Sequence, residues 1–348
     1  MALIEMNLFE SLVPENKRHK NYVSILGNMQ QADRNELQRW AKGFPDRDNK
    51  FVKEFQTTFN SSFWEVYLYA LFNEMGIKMN WSHSTPDFII EIEGKKIVVE
   101  ATIAAAAIGK TPEWEKKIEA VPTRFKKMNI ESIIRLSNSI TSKYRKYKDE
   151  YCKLEHVKSN PFVIAVAPFE QPYFNQQYDT PIMALLYDYY VDEDAYNDNS
   201  YLYPNGPPGI SLGSVKKENG AEIVLGFFED DSFSDISAIL LSTTATWGKV
   251  EAMSKNTSIT RYINTLWWSN TGGDPIFQPL TKQNHKEQIR DGLLIFHNPY
   301  AKHPISANIF KVDGVVQVFS NPNTKKITKQ TNGDCLMHRQ SINLIATR

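Results

Sequence analysis

Cysteine is scarce: Cys152 and Cys335 are the only two in 348 residues, too few for a disulfide framework. No apolar run reaches the ~18 residues that a membrane-spanning helix needs. The opening MALIEMNLFESLVPENK lacks the basic flank and long apolar centre of a secretory signal, so the expectation is a soluble, cytoplasmic protein. An excess of either charge is missing too. Forty Lys and Arg stand against forty Asp and Glu, and overall charge announces neither a nucleic-acid nor a membrane-surface binder. There is no glycine-rich phosphate loop to support nucleotide hydrolysis. The serines of SNSITS (137–142) carry no hydrolase signature, and neither an internal repeat nor a low-complexity tract occurs.

What is present suffices for a packed core. Hydrophobic residues make up 41% of the chain, and its length suits two domains or one elaborated domain. Residues 32–42 (ADRNELQRWAK) predict a short helix ended by Gly43 and Pro45, and a longer helical region runs from about Lys50 to Met75, stopped by Gly76. A short strand at 77–81 and a hairpin follow. Then Ile133, Leu136, Ile140, Tyr144, Tyr147 and Tyr151, spaced by three and four, mark an amphipathic helix. FVIAVAPF after Pro161 reads as a buried strand. This order predicts an α/β fold with a mixed β-sheet flanked by helices. Beyond residue 170 the signals weaken to a helix near 180–190 and strands at 222–228, 236–242, 292–297 and 306–312, which either extend the sheet or form an accessory region. The expected division is an N-terminal helical segment (1–49), a core (50–170) and a C-terminal α/β elaboration (171–348).

The hairpin STPDFIIEIEGKKIVVEAT (84–102) carries the chemistry. A turn at Gly94-Lys95 pairs Glu93 with Lys96 and Asp87 with Thr102, leaving Asp87 and Glu100 as diagonal neighbours roughly 5–8 Å apart. Alternation puts Phe88, Ile90, Ile92, Ile97, Val99 and Ala101 on a core face and Asp87, Ile89, Glu91, Val98 and Glu100 on the other. Two carboxylates so close repel unless a cation lies between them. Mg²⁺ (or Mn²⁺) takes one or two carboxylates and leaves room for water and substrate phosphate. The plainer alternative is the solvated face of an ordinary hairpin. The neighbouring segment from Lys110 to Lys158 holds thirteen Lys or Arg against seven Asp or Glu, a basic strip of the kind a phosphodiester substrate favours.

Glu65 in the helical SSFWEVYLYALF, Pro86-Asp87, and Glu100-Ala101-Thr102 at the end of an apolar strand, followed by a helix and a strand, resemble the core of the PD-(D/E)XK nuclease superfamily. The resemblance covers about residues 55–170. It implies a restriction-endonuclease-like core and a metal-dependent endonuclease hydrolysing DNA, with RNA not excluded as substrate. Asp87 and Glu100 would hold the metal, and Glu65 would reach a metal-bound water or a second ion. The superfamily's usual Lys two residues after the Glu is Thr102 here. Lys143, bordering the apolar stripe of the long helix, is the best-placed substitute and Arg135 the second. Arg135, Arg145 and Lys146 are the expected nucleic-acid contacts. By analogy the role would be bacterial defence against foreign DNA, with partner proteins of a defence system and a homodimer suited to cutting both strands. A catalytically inactive nuclease-fold module that binds nucleic acid or a partner protein is the other class of reading. Thr102 favours it, and the three retained carboxylates favour the nuclease.

Other constellations have plain explanations. Ser62-Phe-Trp-Glu65 fits a capping box, unless the helix already runs before Ser62. Cys152-x₃-His156 and Cys335-x₂-His338 have the local spacings of a zinc site but lie about 180 residues apart in the sequence. His297, Asn298 and His303 sit in a turn flanked by prolines, and Trp267-Trp268 reads as core rather than as a base-stacking platform.

Overall fold

The computed structural model describes residues 6–92, 94–116 and 122–344. Four helices come first: α1 (Lys20–Ser24), α2 (Gln31–Trp40), α3 (Phe51–Thr57) and α4 (Phe59–Glu74). Strands β1 (Lys78–Met79), β2 (Phe88–Ile92) and β3 (Lys95–Ile103) lead to the long helix α5 (Lys126–Asp149) and to β4 (Phe162–Ala167). Helix α6 (Thr180–Tyr187) and α7 (Glu193–Asp198) flank β5 (Tyr190–Val191), which pairs with β6 (Gly209–Ile210); β7 (Ser214–Lys216) pairs with β8 (Glu222–Val224). The rest is β9 (Ile236–Leu241), α8 (Trp247–Met253), β10 (Thr260–Trp268), β11 (Ile276–Thr281), β12 (Leu293–His297), β13 (Val315–Ser320), β14 (Ile327–Thr331) and β15 (Cys335–Leu344).

One mixed sheet of eight strands, in the order β1-β2-β3-β4-β9-β12-β13-β14, organises the fold. Strands β3, β4 and β9 run parallel, while β1-β2-β3 and β9-β12 are antiparallel. The sheet crosses the boundary placed at residue 170, since β9 pairs directly with β4. The later strands therefore extend the same sheet. A second sheet, β11-β10-β15, was not foreseen at all.

Helices cover both faces. Helix α4 is apolar nearly all round, as a helix buried in a core must be; Trp64, Val66, Tyr67, Leu68, Leu71 and Phe72 are wholly sequestered. It lies with α2 and α3 on the face bearing Phe88, Ile90, Val99 and Ala165, and the Trp64 indole donates to the Ala165 carbonyl at 3.0 Å. On the other face α5 and α6 bury Ile133, Leu136, Ile140 and Leu185 against Val98, Ile164 and Val166.

Several expectations need correction. The region from Lys50 to Met75 is two helices, broken where Thr58 leaves helical geometry (φ −122°, ψ 48°). Because α4 starts at Phe59, Ser62 lies inside it and the capping-box reading of Glu65 falls. The expected strand at 306–312 is instead a 3₁₀ turn, Ala307–Phe310, capped by the Ser306 side chain, which accepts from the Asn308 amide. The strand expected at 222–228 ends at Val224, short of Gly226, whose φ is +81°. Trp267 and Trp268 are half-buried on β10, not core.

The N-terminal helices are tied to the C-terminal half through charge. Asp33 on α2 accepts from both terminal nitrogens of Arg261 on β10, at 3.1 and 3.0 Å, and Arg261 also reaches Glu251 on α8 at 3.3 Å. Asp33 and Arg261 side chains are fully buried. Removing one member of such a pair strands the other without water or counter-charge. Arg261→Ala should therefore lower unfolding free energy by about 3–5 kcal/mol, measured by urea denaturation. A loss below about 1 kcal/mol would show that the pair does not hold the two halves together.

Candidate functional site

The hairpin's register decides what the site can be. Phe88 pairs with Val99 and Ile92 with Lys95, so the pairing register is two residues from the expected one and the turn lies one residue earlier. Gly94 supplies the positive φ, +76°, that a two-residue hairpin connection requires. Extending the ladder by one residue sets Asp87 directly opposite Glu100, not diagonal to it. Glu91, not Glu93, lies across from Lys96; Glu93 is outside the described residues. A slip of two keeps every side chain on its expected face, but that face is not solvated. Ile89, Val98 and Glu100 are all buried, because α5 packs over it.

Asp87 is fixed by the strand beside it: its Oδ2 accepts from the Ala101 backbone amide at 2.8 Å. Glu100 is almost sealed, its side chain 2% exposed. Three groups from α5 and its end converge on its Oε1. Lys143 Nζ is at 2.8 Å, Lys146 Nζ at 3.6 Å, and the Tyr151 hydroxyl donates at 3.2 Å. Lys146 also lies over the Tyr151 ring, 4.8 Å from its centre. Oε2 of Glu100 is buried with no hydrogen-bond partner among the described residues. An orphaned carboxylate oxygen in that position is costly unless something positive or protic meets it.

Glu65 approaches from α4 on the side of Asp87. Burial, then the Asp87 charge, pushes its carboxyl up to about 8, with Lys143 and Arg47 pulling the other way. Asp87 rises to about 6, chiefly through burial and then the Glu100 charge, opposed by Lys143 and the Ala101 amide. The Tyr151 hydroxyl is pushed far up by burial and by Glu100 and Asp87, so it remains a donor. The four side chains Glu65, Asp87, Glu100 and Lys143 thus act on one another electrostatically, and Lys143 stands beside the carboxylates where Thr102 offers no charge.

The segment leading into Asp87 is held from two distant places. Arg47 donates to the His83 carbonyl at 2.7 Å and lies over the Trp81 ring. His156 Nε2 meets the Thr85 carbonyl at 2.8 Å, and its ring stacks on His83 at 3.7 Å. Sequence reasoning missed Arg47 and His83 and enlisted His156 only for zinc, because these contacts join residues 34 to 73 positions apart that no local pattern relates. Tyr151 was placed on the apolar stripe of the helix. Its hydroxyl was not, although a tyrosine on a core-facing stripe must find a polar partner.

The other candidates do not join the cluster. Arg135 lines a groove with Lys110, Lys217 and Glu218, and Arg145 lines a second with Asp230; of the three expected nucleic-acid contacts, Lys146 alone turns to Glu100. Cys152 Sγ contacts the Lys148 carbonyl, while Cys335 Sγ meets Thr331 and His338 meets the Asn175 carbonyl. Among the described residues no group of three or more His, Cys, Asp and Glu could hold a metal. That removes the zinc reading and leaves Glu65 outside a shared ligand set with Asp87 and Glu100. His297 and Asn298 are occupied by Gln317 and by backbone carbonyls. No helix among the described residues is long and apolar enough to cross a membrane.

Comparison with protein families, with curated proteins and with solved structures gives no match. The site is therefore read from its own geometry.

Two raised carboxyls mean that the folded chain holds protons more tightly than the unfolded one. Their contribution to stability is complete below about pH 4 and is lost as pH rises through about 6 for Asp87 and about 8 for Glu65. Glu65→Gln should remove the upper part of that loss and raise Tm at pH 8 relative to wild type without metal. Thermal unfolding from pH 5 to 9 checks this. Parallel Tm profiles for variant and wild type would contradict it.

Proposed function

We propose that this chain is a metal-dependent endonuclease of the PD-(D/E)XK kind, hydrolysing phosphodiester bonds of DNA, with RNA as the alternative polymer. The single observation that carries the reading is the Asp87–Glu100 pair. Two carboxylates face each other, one with an orphaned buried oxygen, and a lysine from another element neutralises the far oxygen. That donor set fits Mg²⁺ or Mn²⁺, which accept one or two protein carboxylates and keep water and substrate in the remaining positions. Asp87 and Glu100 would hold the ion, and its chemistry would be to lower the pKa of an attacking water and offset charge on the phosphate.

The chain's own groups have separable tasks. Lys143 neutralises Glu100 and places positive charge where negative charge builds on the phosphate. Glu65, its carboxyl raised to about 8, is mostly protonated at neutral pH and can take a proton from water only as pH rises through that value or as a bound cation draws the carboxyl down. Lys146 and Tyr151 hold the Glu100 carboxylate in orientation, and the basic surface of α5 would receive the polymer backbone, Arg135 and Arg145 in flanking grooves. The sheet with helices on both faces is compatible with a restriction-endonuclease-like core that residues 171–348 extend. A cytoplasmic role in bacterial defence, as a homodimer or with partner proteins of a defence system, rests on analogy with such nucleases.

One observation favours a second reading, an inactive module that binds nucleic acid or a protein. Glu100 Oε1 already has Lys143, Lys146 and Tyr151 around it, a closed arrangement for a working ligand. Cleavage of supercoiled plasmid and of single-stranded DNA in Mg²⁺ or Mn²⁺ separates the two. Asp87→Asn, Glu100→Gln and Lys143→Met should each reduce the rate on the order of 10²- to 10³-fold, with Lys143→Arg retaining part of it. Absence of cutting by wild type, with DNA binding unchanged in all variants, would select the binding module.

A further inference from the structure

The segment leading into Asp87 is both exposed and tightly held. Ser82, His83, Ser84 and Thr85 are all exposed, yet three groups tether them. Arg47 donates to the His83 carbonyl at 2.7 Å and approaches the Asp87 carbonyl at 3.5 Å. His156 Nε2 donates to the Thr85 carbonyl at 2.8 Å, and the Asn80 side chain accepts from the Ser82 amide and hydroxyl at 3.0 and 2.7 Å. Ordering an exposed segment costs conformational entropy, and these tethers fix in space the side chains it carries.

One of them is half of a ring stack. The centres of His83 and His156 lie 3.7 Å apart, and the rings are within 5° of parallel. His83 is exposed and His156 half-buried, so His83 is the outer ring of the pair, with a face toward water. The pair does not make a metal site. Imidazole lone pairs lie in the ring plane, so those of two parallel rings do not converge on one ion, and His156 Nε2 is engaged at Thr85. An exposed flat ring, backed by a second ring and anchored through its own backbone, is a platform on which a third flat ring can stack.

A fixed cation stands beside the stack. Arg47 is exposed, and its guanidinium lies 5.6 Å from the centre of the Trp81 ring. The residue before it, Asp46, accepts from the Lys50 and Phe51 amides at 3.0 and 3.1 Å where α3 begins, so both ends of the Arg47 side chain are positioned. The two carbonyls occupy only part of its five N–H donors, and among the described residues it forms no ion pair with a carboxylate. Its charge is felt at Glu65, which puts it at the edge of the carboxylate cluster. An exposed, preorganised guanidinium with donors to spare suits a phosphate.

We propose that this segment receives one nucleotide of the substrate beside the carboxylates, its base stacked on His83 and its phosphate on Arg47, so that the strand is single or locally unpaired there. The inference rests on the nuclease reading for the polymer it names. Bases inside a duplex have both faces covered by their neighbours, and only an unstacked base offers a face to a protein ring.

Fluorescence anisotropy, with Ca²⁺ in place of Mg²⁺ and over a range of salt, would follow binding of a labelled oligothymidylate, of the same strand made abasic throughout, and of its duplex with oligoadenylate. Wild type should hold the oligothymidylate more tightly than either of the others. His83→Ala should weaken that binding roughly five- to hundredfold, the range for one lost base stack, and leave the abasic strand bound as in wild type. His83→Phe, which keeps a ring, should restore most of the loss. Arg47→Gln should weaken binding of both single strands and lower the salt slope by about 0.7, the signature of one lost phosphate contact. Circular dichroism establishes that the variants fold. Equal wild-type affinity for the base-bearing and abasic strands, wild-type affinity in His83→Ala, or no binding to any strand would overturn the inference. Any of these results in a protein that cuts DNA in Mg²⁺ would leave the nuclease reading standing. Base-dependent binding without cutting would overturn that reading and keep the stacking platform as part of a binding module.

Discussion

The contact between Lys143 and Glu100 is the interaction on which the site depends. A carboxylate withdrawn from water under a helix is tolerable only when its charge and lone pairs are met. Here Lys143 and Tyr151 meet one oxygen, with Lys146 behind them, and the other is left open. The ion pair joins the long helix α5 to the centre of β3, 43 residues away. It also sets the balance among the neighbouring acids. Burial and a neighbouring carboxylate, Asp87 for Glu65 and Glu100 for Asp87, push both upward, and Lys143 opposes the rise at both. An arrangement of three acids with Lys143 and Lys146 beside them is poised to change with pH or with a bound metal ion.

Much of this arrangement was legible in the sequence, for a definite reason. Strand alternation has period two, so a pairing register two residues off left Glu100 and Val98 on their correct face. Helical periodicity likewise put Lys143 at the border of a core-facing stripe, the position from which its side chain reaches the sheet. The mixed sheet flanked by helices followed from element order. What could not be read was everything set by contacts distant in sequence. Period alone does not say that α5 seals the polar face of the hairpin, that Arg47 and His156 grip the loop before Asp87, or that β9 adds to β4. The β10-β11-β15 sheet was missed because its strands carry a weak signal. On β11 no residue is fully buried, so apolar alternation is not enforced there.

Among the described residues several buried polar groups have no hydrogen-bond partner, and Glu100 Oε2 is the one that lies in the carboxylate cluster. The carboxylate cluster sits at the antiparallel β2-β3 edge with acids to offer. Helix α4 brings Glu65 to the acids.

The most direct test of the account is where a divalent ion sits. Crystals soaked in Mn²⁺ at pH 8 and examined by anomalous scattering should show a peak between Asp87 and Glu100, within about 2.0–2.3 Å of the open oxygens. No peak there, or a peak only at surface carboxylates, would contradict the claim that the orphaned Glu100 oxygen is a metal ligand.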